Sequence, residues 1–314
     1  MNDTHRRATT QGALLILAAT IVWGVMFPVG KAALASVDAF FLTAIRYGVA
    51  SLIFIAILAA LEGRRALSLE GKGLKVFLYG SAGFAGFSLL VFGGLAHARA
   101  EHGAIIMALQ PLIGALLNWV INRERPSLTT AGCIVAAFVG VFLVVTKGGA
   151  VGLAEDGHVF GNLLMLTGAA CWVVYTMGAR SVPAWSPLRY TTLSAALGTV
   201  TILIATFAAT QLGYAQVPAL ATVWSLKLEF FYLIVISAVM SVLFWNAGVK
   251  RIGALNGILF INLVPVTAFA VGLFQGHVFS AAELAGALIT IVAVVVNNLS
   301  ARRLAVRAAA ASQA

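Results

Sequence analysis

Long apolar segments alternate with short polar stretches along the whole chain. Each apolar segment is about 20 residues long, the length that an α-helix needs to cross the hydrocarbon core of a bilayer. We predict helices at residues 12–32, 39–60, 74–96, 102–121, 128–146, 160–180, 188–209, 229–249, 254–274 and 282–300. The pattern therefore predicts an all-α integral membrane protein with ten transmembrane helices.

One of these segments has a counterpart in the second half of the chain. A shift of 154 residues superposes three pairs: Gly94 on Gly248, Gly103 on Gly257 and Pro111 on Pro265. A shift of 149 residues aligns the first helices of the two halves and places Trp23 on Trp172. Because each copy has an odd number of helices, the copies must cross the membrane in opposite directions. The sequence predicts two inverted five-helix repeats, an architecture that many transporters share.

The distribution of Lys and Arg predicts the orientation. Fifteen of these residues fall in loops and tails on one side of the predicted helices and four on the other, which places both termini in the cytoplasm. The predicted parts are a cytoplasmic tail (1–11), a first repeat (12–147), a linker (148–158), a second repeat (159–303) and a cytoplasmic tail (304–314). The first apolar run has the length of a full span, so we expect a retained helix and not a signal peptide.

Composition narrows the class of protein and its partners. The chain is 61% hydrophobic and only 10% charged, whereas soluble domains carry about 25% charged residues. The net charge of +10 would suggest nucleic acid as a partner of a soluble protein, but here it reflects topology. Cys133 and Cys171 lie in apolar runs and indicate packing, not a disulfide or metal site. We expect a small-molecule substrate and the lipid bilayer as partners and no cofactor; the oligomeric state stays open, and a monomer is compatible with the sequence.

Uncharged polar and aromatic residues recur at helical spacing inside the predicted helices. In helix 4 they form a stripe of Gly103, Met107, Gln110, Gly114 and Asn118, and in helix 8 a stripe of Ser237, Ser241 and Trp245. Such stripes fit either close helix packing or the lining of a cavity. A proline in each repeat also frees a backbone carbonyl inside the membrane. The candidate substrate-binding residues are Trp23, Gln110, Pro111, Asn118, Trp172, Tyr175, Ser241, Trp245, Asn246, Asn262 and Pro265, in a site between the halves lined by helices 1, 3, 4, 6, 8 and 9.

Charged residues near or within the predicted helices allow two interpretations each, one functional and one structural. Arg46 lies inside helix 2, where a charge suggests a functional site, but a structural role on a peripheral helix is favoured. His97, Glu101 and His102 cluster where helix 3 ends and helix 4 begins. They are candidates for a gate or a proton relay, and the alternative is a solvated loop cluster.

Several short motifs carry a resemblance to a known family. They are Trp23-Gly24 in helix 1, Arg46-Tyr47 in helix 2, Pro111 and Pro265 in helices 4 and 9, and Glu124 after helix 4. With the duplication, the sequence resembles the drug/metabolite transporter superfamily and its ten-helix EamA-domain proteins. At the position of Glu124 the second unit departs from the pattern and reads Gly276-His277. The resemblance implies a bacterial inner-membrane exporter of amino acids, and the impression is closest to exporters of aromatic amino acids.

The residue pattern and the resemblance lead to one expected function. We expect export of amino acids or similar small neutral or zwitterionic metabolites by alternating access. Drug or toxic-cation efflux by proton antiport remains an alternative, although the absence of a carboxylate deep in helix 1 disfavours it. An enzyme is not expected, because no nucleophile lies beside a base and no pair of acids lies at mid-membrane. A membrane-embedded enzyme or a receptor is the remaining alternative.

Overall fold

The fold is a bundle of apolar helices, as seen in a computed structural model that describes residues 3–123, 125–147, 158–253 and 257–311. The helices are α1 (Asp3–Ala33), α2 (Ala39–Leu61), α3 (Gly73–His97), α4a (Ala100–Ala108), α4b (Gln110–Asn122), α5 (Leu128–Thr146), α6 (His158–Gly178), α7 (Pro187–Gln211), α8 (Lys227–Ile252), α9 (Leu263–Phe274) and α10 (Ala281–Ala311). A short helix, Leu220–Ser225, precedes α8. The described residues contain no β-strand.

The predicted all-α membrane fold is confirmed. Among the described residues, eight helices are long and apolar enough to cross a membrane, and α4a with α4b makes a ninth span that bends by 49°. The remaining predicted segment, 254–274, contains a shorter apolar helix, Phe260–Phe274. Residues 148–157 of the predicted linker (148–158) and the motif residue Glu124 lie outside the described residues. The residues predicted as tails are helical where they are described, since α1 begins at Asp3 and α10 continues to Ala311.

Short polar residues fix where several helices begin. Asp38 caps α2 by accepting hydrogen bonds from the amides of Phe40 and Phe41, both at 2.9 Å, and Ser186 caps α7 by accepting from the amide of Arg189 at 2.9 Å. Such caps satisfy amides that have no partner within the helix. The two capped helices occupy equivalent places in the two halves.

The two halves pack through matching helix pairs. Helix α1 packs on α8 and α6 packs on α3, while α2, α4 and α5 pack on their counterparts α7, α9 and α10. A Cβ atom built on Gly248 would lie 2.8 Å from the carbonyl oxygen of Gly12, and one built on Gly94 would lie 2.3 Å from that of Gly161. Both approaches are too close for a side chain. The repeated glycines therefore serve the same backbone contact twice.

Contacts between α2 and α7 give their relative direction. Going along α2, the partners are Phe40 with Thr206 (3.3 Å), Ser51 with Thr199 (2.8 Å) and Phe54 with Thr192 (3.5 Å), so α7 runs the opposite way. The offset between Ser51 and Thr199 equals that between the caps Asp38 and Ser186. This hydrogen bond thus joins equivalent residues of the two copies. Antiparallel packing of equivalent helices is the arrangement that two inverted repeats require.

Candidate functional site

Both repeats contain an interrupted helix at the predicted place. In the first repeat, the break at Leu109 separates α4a from α4b, and Pro111 is the second residue of α4b. In the second repeat, a 3₁₀ segment, Ile258–Asn262, leads into α9, where buried Pro265 is the third residue. A proline early in a helix lacks the N–H that would bond the preceding turn. Pro111 and Pro265, which the repeat superposes, thus each lie in the first turn of a helix that follows an irregular backbone segment.

Two other helices change from α-helical to π-helical geometry at equivalent positions of the two repeats. Helix α3 contains a π-helical segment, Ser81–Gly86, and α8 contains one at Tyr232–Met240. The shift of 154 residues superposes them in part. Segments of π-helix are rare and frequently mark functional sites. The interior of the bundle thus has an irregular backbone in α3, α4, α8 and α9, four of the six helices predicted to line the site.

An aromatic cluster joins the two repeats. It consists of Tyr47, Phe84 and Phe87 from the first repeat and Trp172, Tyr175 and Tyr190 from the second. The ring of Trp172 lies 5.1 Å from those of Phe87 and Tyr175, measured between centroids. Tyr175 stacks on Tyr190 at 5.0 Å and donates a hydrogen bond to Thr191 at 3.3 Å. The predicted site residues Trp172 and Tyr175 therefore lie at the contact between the halves.

A second aromatic contact lies between α1 and α8. The rings of Trp23 and Trp245 are 5.3 Å apart, and both side chains are half-buried. Ser241 is buried one turn before Trp245, and its hydroxyl donates to the carbonyl of Ser237. No described ring contact joins this pair to the aromatic cluster. The predicted aromatic residues thus form two separate groups.

The predicted amide side chains are spread along the broken helices and α8. Gln110 lies half-buried at the break, with its Nε2 atom 3.6 Å from the sulfur of Met107. Asn118 is half-buried two turns further along α4b, and Asn262 is buried just before α9. The amide nitrogen of Asn246 on α8 is buried without a hydrogen-bond partner among the described residues. These positions offer uncharged hydrogen-bonding groups, as predicted, over more than one depth.

Arg46 lies in the interior and not on a peripheral face. Only 3% of its surface is exposed, and it contacts α1, α3 and α8. Helix α2 presents its other face outward, where Leu52 is 68% exposed. The sequence indicated a peripheral helix for Arg46, and the burial of its side chain corrects that expectation. The inward direction of one side chain depends on packing, which the pattern does not encode.

An ionic latch joins the turn between α3 and α4a to the loop between α9 and α10. The latch consists of Arg99, Glu101, His277 and Glu283. Arg99 pairs with Glu283 at 2.6 Å and approaches Glu101 at 3.6 Å, and Nδ1 of His277 lies 2.7 Å from Glu101. Both carboxylates are 2% exposed. Buried ion pairs of this kind are costly to break from one side, so the latch holds the two repeats together at this end.

The predicted charged cluster of His97, Glu101 and His102 lies at or next to the latch. Glu101 and His102 are buried, so the reading of a solvated loop cluster is wrong for them. His97 is exposed and packs its ring 5.9 Å from that of Phe160. Sequence reasoning missed His277 and Glu283 as partners, although the unusual Gly276-His277 was a signal. Despite two carboxylates and an imidazole in the latch, no group of three such residues in the described chain is arranged to hold a metal ion.

A loop clamp joins the repeats at the opposite end of the bundle. It consists of Glu70 from the α2–α3 loop with Trp185 and Arg189 from the start of α7. The carboxylate of Glu70 accepts hydrogen bonds from Nε1 of Trp185 at 2.9 Å and from Arg189 at 2.7 Å. The guanidinium of Arg189 also lies 4.4 Å above the ring of Trp185. The hydrogen bonds from Trp185 and then Arg189 lower the pKa of Glu70 below its ordinary value.

Comparison with known proteins identifies the family of the chain. The pattern of the EamA-like transporter family matches residues 10–146 and again residues 159–299. The chain is 35% identical over 296 residues to "Uncharacterized transporter YrdR" of Bacillus subtilis (strain 168), covering 93% of this chain and 92% of that protein. It is 29% identical over 283 residues to "Uncharacterized transporter YyaM" of the same organism, covering 90% and 91%.

A solved structure shares the fold. One crystal structure of a protein superposes with a TM-score of 0.61 at 20% identity, covering 94% of this chain and 99% of the other. At this identity the likeness concerns the fold alone. The duplicated match and the relatives settle the family: the chain belongs to the EamA-like transporter family.

Proposed function

We propose that the protein exports amino acids or similar small neutral or zwitterionic metabolites, aromatic and hydrophobic ones included, across the bacterial inner membrane. The observation that carries the proposal is the aromatic cluster, which is built from both repeats around Trp172. Aromatic faces bind apolar and aromatic side chains. Because the cluster straddles the contact between the repeats, their relative movement would open and close it.

The proposed orientation has both termini in the cytoplasm. It rests on the distribution of Lys and Arg. In this orientation the ionic latch lies at the extracytoplasmic end and the loop clamp at the cytoplasmic end. We propose that the latch is the extracytoplasmic gate, since breaking Arg99–Glu283 and Glu101–His277 would free the first repeat from the second. Alternating access then consists of making and breaking such contacts at opposite ends.

Counterflow in proteoliposomes tests the proposal directly. Vesicles containing the purified protein are loaded with unlabelled solute and supplied with the same solute in labelled form. A panel of amino acids, quaternary ammonium cations and sugars separates the substrate classes. We expect transient accumulation of aromatic or hydrophobic amino acids and none of sugars. Accumulation of the cations alone would replace amino-acid export with drug efflux.

One observation favours the alternative of proton-coupled efflux. Glu101 is a buried carboxylate in contact with an imidazole, and His102 is buried beside it. Groups of this kind can carry protons in transporters. The same vesicles under an imposed pH gradient distinguish the mechanisms. A passive facilitator only equilibrates its solute, whereas an antiporter concentrates it and stops when the gradient is collapsed.

A further inference from the structure

A positive charge is buried in the bundle without a negative partner. Nε of Arg46 donates to the carbonyl of Leu233 at 3.1 Å, and Nη2 approaches the sulfur of Met26 at 3.3 Å and the hydroxyl of Ser237 at 3.4 Å. Nη1 is buried and donates to nothing in the described chain. None of the ion pairs among the described residues involves Arg46. The guanidinium therefore keeps its full charge and an unused pair of N–H donors.

Such an arrangement is unfavourable unless an anion completes it. Arginine does not lose its proton in proteins, and a buried charge without a counter-ion carries a large desolvation cost. The carbonyl, thioether and hydroxyl around Arg46 are neutral acceptors that leave the charge in place. Carboxylates and phosphates are the anions that the planar fork of a guanidinium binds with two parallel hydrogen bonds.

The guanidinium is held in a fixed orientation. Its central carbon lies 5.0 Å from the ring centroid of Tyr47 and 5.4 Å from that of Phe92. Aromatic rings at this distance attract a cation and restrict its plane. Leu233 and Ser237, which bind the other nitrogens, both belong to the π-helical segment of α8. The free nitrogen is thus preorganised by three helices.

Comparison of the two repeats argues against a purely structural role for Arg46. The offset that relates the caps Asp38 and Ser186 places Ser194 of α7 at the position of Arg46. Ser194 bonds the carbonyls of Tyr190 and Thr191 on its own helix and the hydroxyl of Tyr175, all of them neutral groups. Helix α7 packs on the π-helical segment of α3 as α2 packs on that of α8. Since the second repeat makes this packing without an arginine, the fold itself does not require one.

The surroundings of Arg46 suggest what else a ligand would touch. Ser237, Ser241 and Trp245 follow one another at helical spacing along one face of α8, from the contact with Arg46 to the contact with Trp23. At a rise of about 1.5 Å per residue, Ser237 and Trp245 are about 12 Å apart along the helix. This face offers a cation at one end and aromatic rings at the other.

We propose that Arg46 is a carboxylate-binding subsite, and that the transported solute is a monocarboxylate with an apolar or aromatic side chain, such as an aromatic amino acid. The identity of the cargo rests on the proposed export function, whereas the preference for a carboxylate does not require transport. A single cation suits one carboxylate better than a phosphate, which carries up to two charges.

A binding experiment with matched acids and amides tests the subsite. The full chain is purified in detergent, and its tryptophan fluorescence and melting temperature are followed with phenylacetate, phenylacetamide, phenylalanine and phenylalaninamide. In the parent protein we expect each acid to bind about ten- to a hundredfold more tightly than its amide, the usual range for a charge-assisted hydrogen bond. Arg46→Gln should bind acid and amide alike, and Arg46→Lys should prefer the acid with weaker binding. Arg251→Gln is the control, because Arg251 is exposed near the end of α8.

Each outcome decides between the alternatives. Equal binding of acids and amides by the parent, no binding of any acid, or an acid preference that survives Arg46→Gln would overturn the subsite. If Arg46→Gln does not fold, the comparison in the parent and in Arg46→Lys decides. An acid preference that depends on Arg46, together with no amino-acid counterflow, would keep the subsite and reject the proposed export function.

Discussion

Trp172 packs against aromatic rings of both repeats. Its ring packs on Phe87 and Tyr175 at 5.1 Å and lies 6.2 Å from Phe84. An aromatic pair contributes about 0.5–1.5 kcal/mol beyond its buried area. If the solute takes the place of one of these partners, we expect Trp172→Ala to raise the counterflow KM for an aromatic amino acid by several-fold.

Matched variants separate binding from folding at this position. Trp172→Phe keeps a ring and should give an intermediate KM. Trp224→Ala is the control, since Trp224 is 69% exposed before α8. Transport is normalised to folded protein. An unchanged KM in Trp172→Ala would remove this residue from the substrate path.

Glu70 gives the loop clamp a predictable dependence on pH. Its pKa is lowered from the ordinary value of 4.5 by the hydrogen bonds from Trp185 and Arg189. A carboxylate with a lowered pKa stabilises the folded state above its unfolded pKa, and this contribution is lost as the pH falls through the folded pKa. We therefore expect the parent to melt at a higher temperature than Glu70→Gln above about pH 4.5, and the difference to shrink below that pH and to vanish once the pH has fallen past the lowered pKa of the folded state.

The control for this prediction lies at the other end of the bundle. Glu229→Gln, in the first turn of α8, should not reproduce the pH-dependent difference. Melting is followed in detergent from about pH 2 to about pH 8, a range that begins about two units below the ordinary carboxyl pKa values. A constant difference between the parent and Glu70→Gln throughout would show that the side chain acts by packing alone.

The contacts of some side chains can be predicted from the sequence better than those of others. The depth of Trp23 and Trp172 in their helices and their repeat relation suffice to predict aromatic contacts inside the bundle. The partners of Arg46 and Glu101 depend on which helix faces meet, and residues 187 and 176 positions away supply them. Local patterns carry no information about such distant partners. The functional roles of the candidate site residues stay predictions.

At the scale of helices, glycines set the distance between α3 and α6. A Cβ atom on Gly94 would lie 2.3 Å from the carbonyl of Gly161, while one on the neighbouring Gly93 would meet no atom within 4 Å. Overpacking of this kind costs about 1–3 kcal/mol, whereas alanine otherwise favours a helix over glycine. We expect Gly94→Ala to lower the melting temperature and Gly93→Ala to leave it unchanged or raise it.

The second repeat supplies an independent test of the same contact. Gly248→Ala should behave like Gly94→Ala, because its Cβ would lie 2.4 Å from Ile16 and 2.8 Å from the carbonyl of Gly12. Equal melting temperatures for Gly94→Ala and Gly93→Ala would show that the helices separate without cost, and would argue against the close packing.

The sequence predicts the existence of the helices better than their details. Apolar length predicts the spans, and a proline in each repeat predicts the interruptions near Leu109 and Asn262. Hydropathy misses the helical continuation of α1 and α10, because polar residues also form helices once a long helix is nucleated. The π-helical segments have no sequence signature of their own, since one extra residue per turn leaves the apolar pattern unbroken.

For the whole molecule, the duplication predicts most of the architecture. The glycine pairs and the antiparallel contact of α2 with α7 reproduce the relation between the halves. The repeat relation fails at charged residues: Arg46 has Ser194 as its counterpart. The shift of 154 residues places the counterpart of Glu101 at residue 255, outside the described residues. A transporter with symmetric halves needs such differences to bind one solute in one orientation.

The proposed gate makes a prediction about which side of the membrane reaches the interior. In the present structure the latch is closed and Ser241 is fully buried. If the latch is the extracytoplasmic gate, weakening it must raise the population that is open to the outside. Each loss of about 1.4 kcal/mol from the closed state changes the ratio of the two populations about tenfold.

Cysteine labelling in intact cells measures this shift. Ser241→Cys is introduced with Cys133→Ala and Cys171→Ala, and a membrane-impermeant maleimide is applied from outside. Adding Arg99→Gln and Glu101→Gln should raise the labelling rate about tenfold or more, because the Arg99–Glu283 ion pair is lost and the Glu101–His277 contact between the repeats is weakened. Glu62→Gln is the control at the opposite end, where Glu62 accepts a hydrogen bond from Ser186 at 2.6 Å; it should not increase labelling from outside. Unchanged labelling in the folded double variant would make the latch a structural bridge, and the gate would have to lie elsewhere.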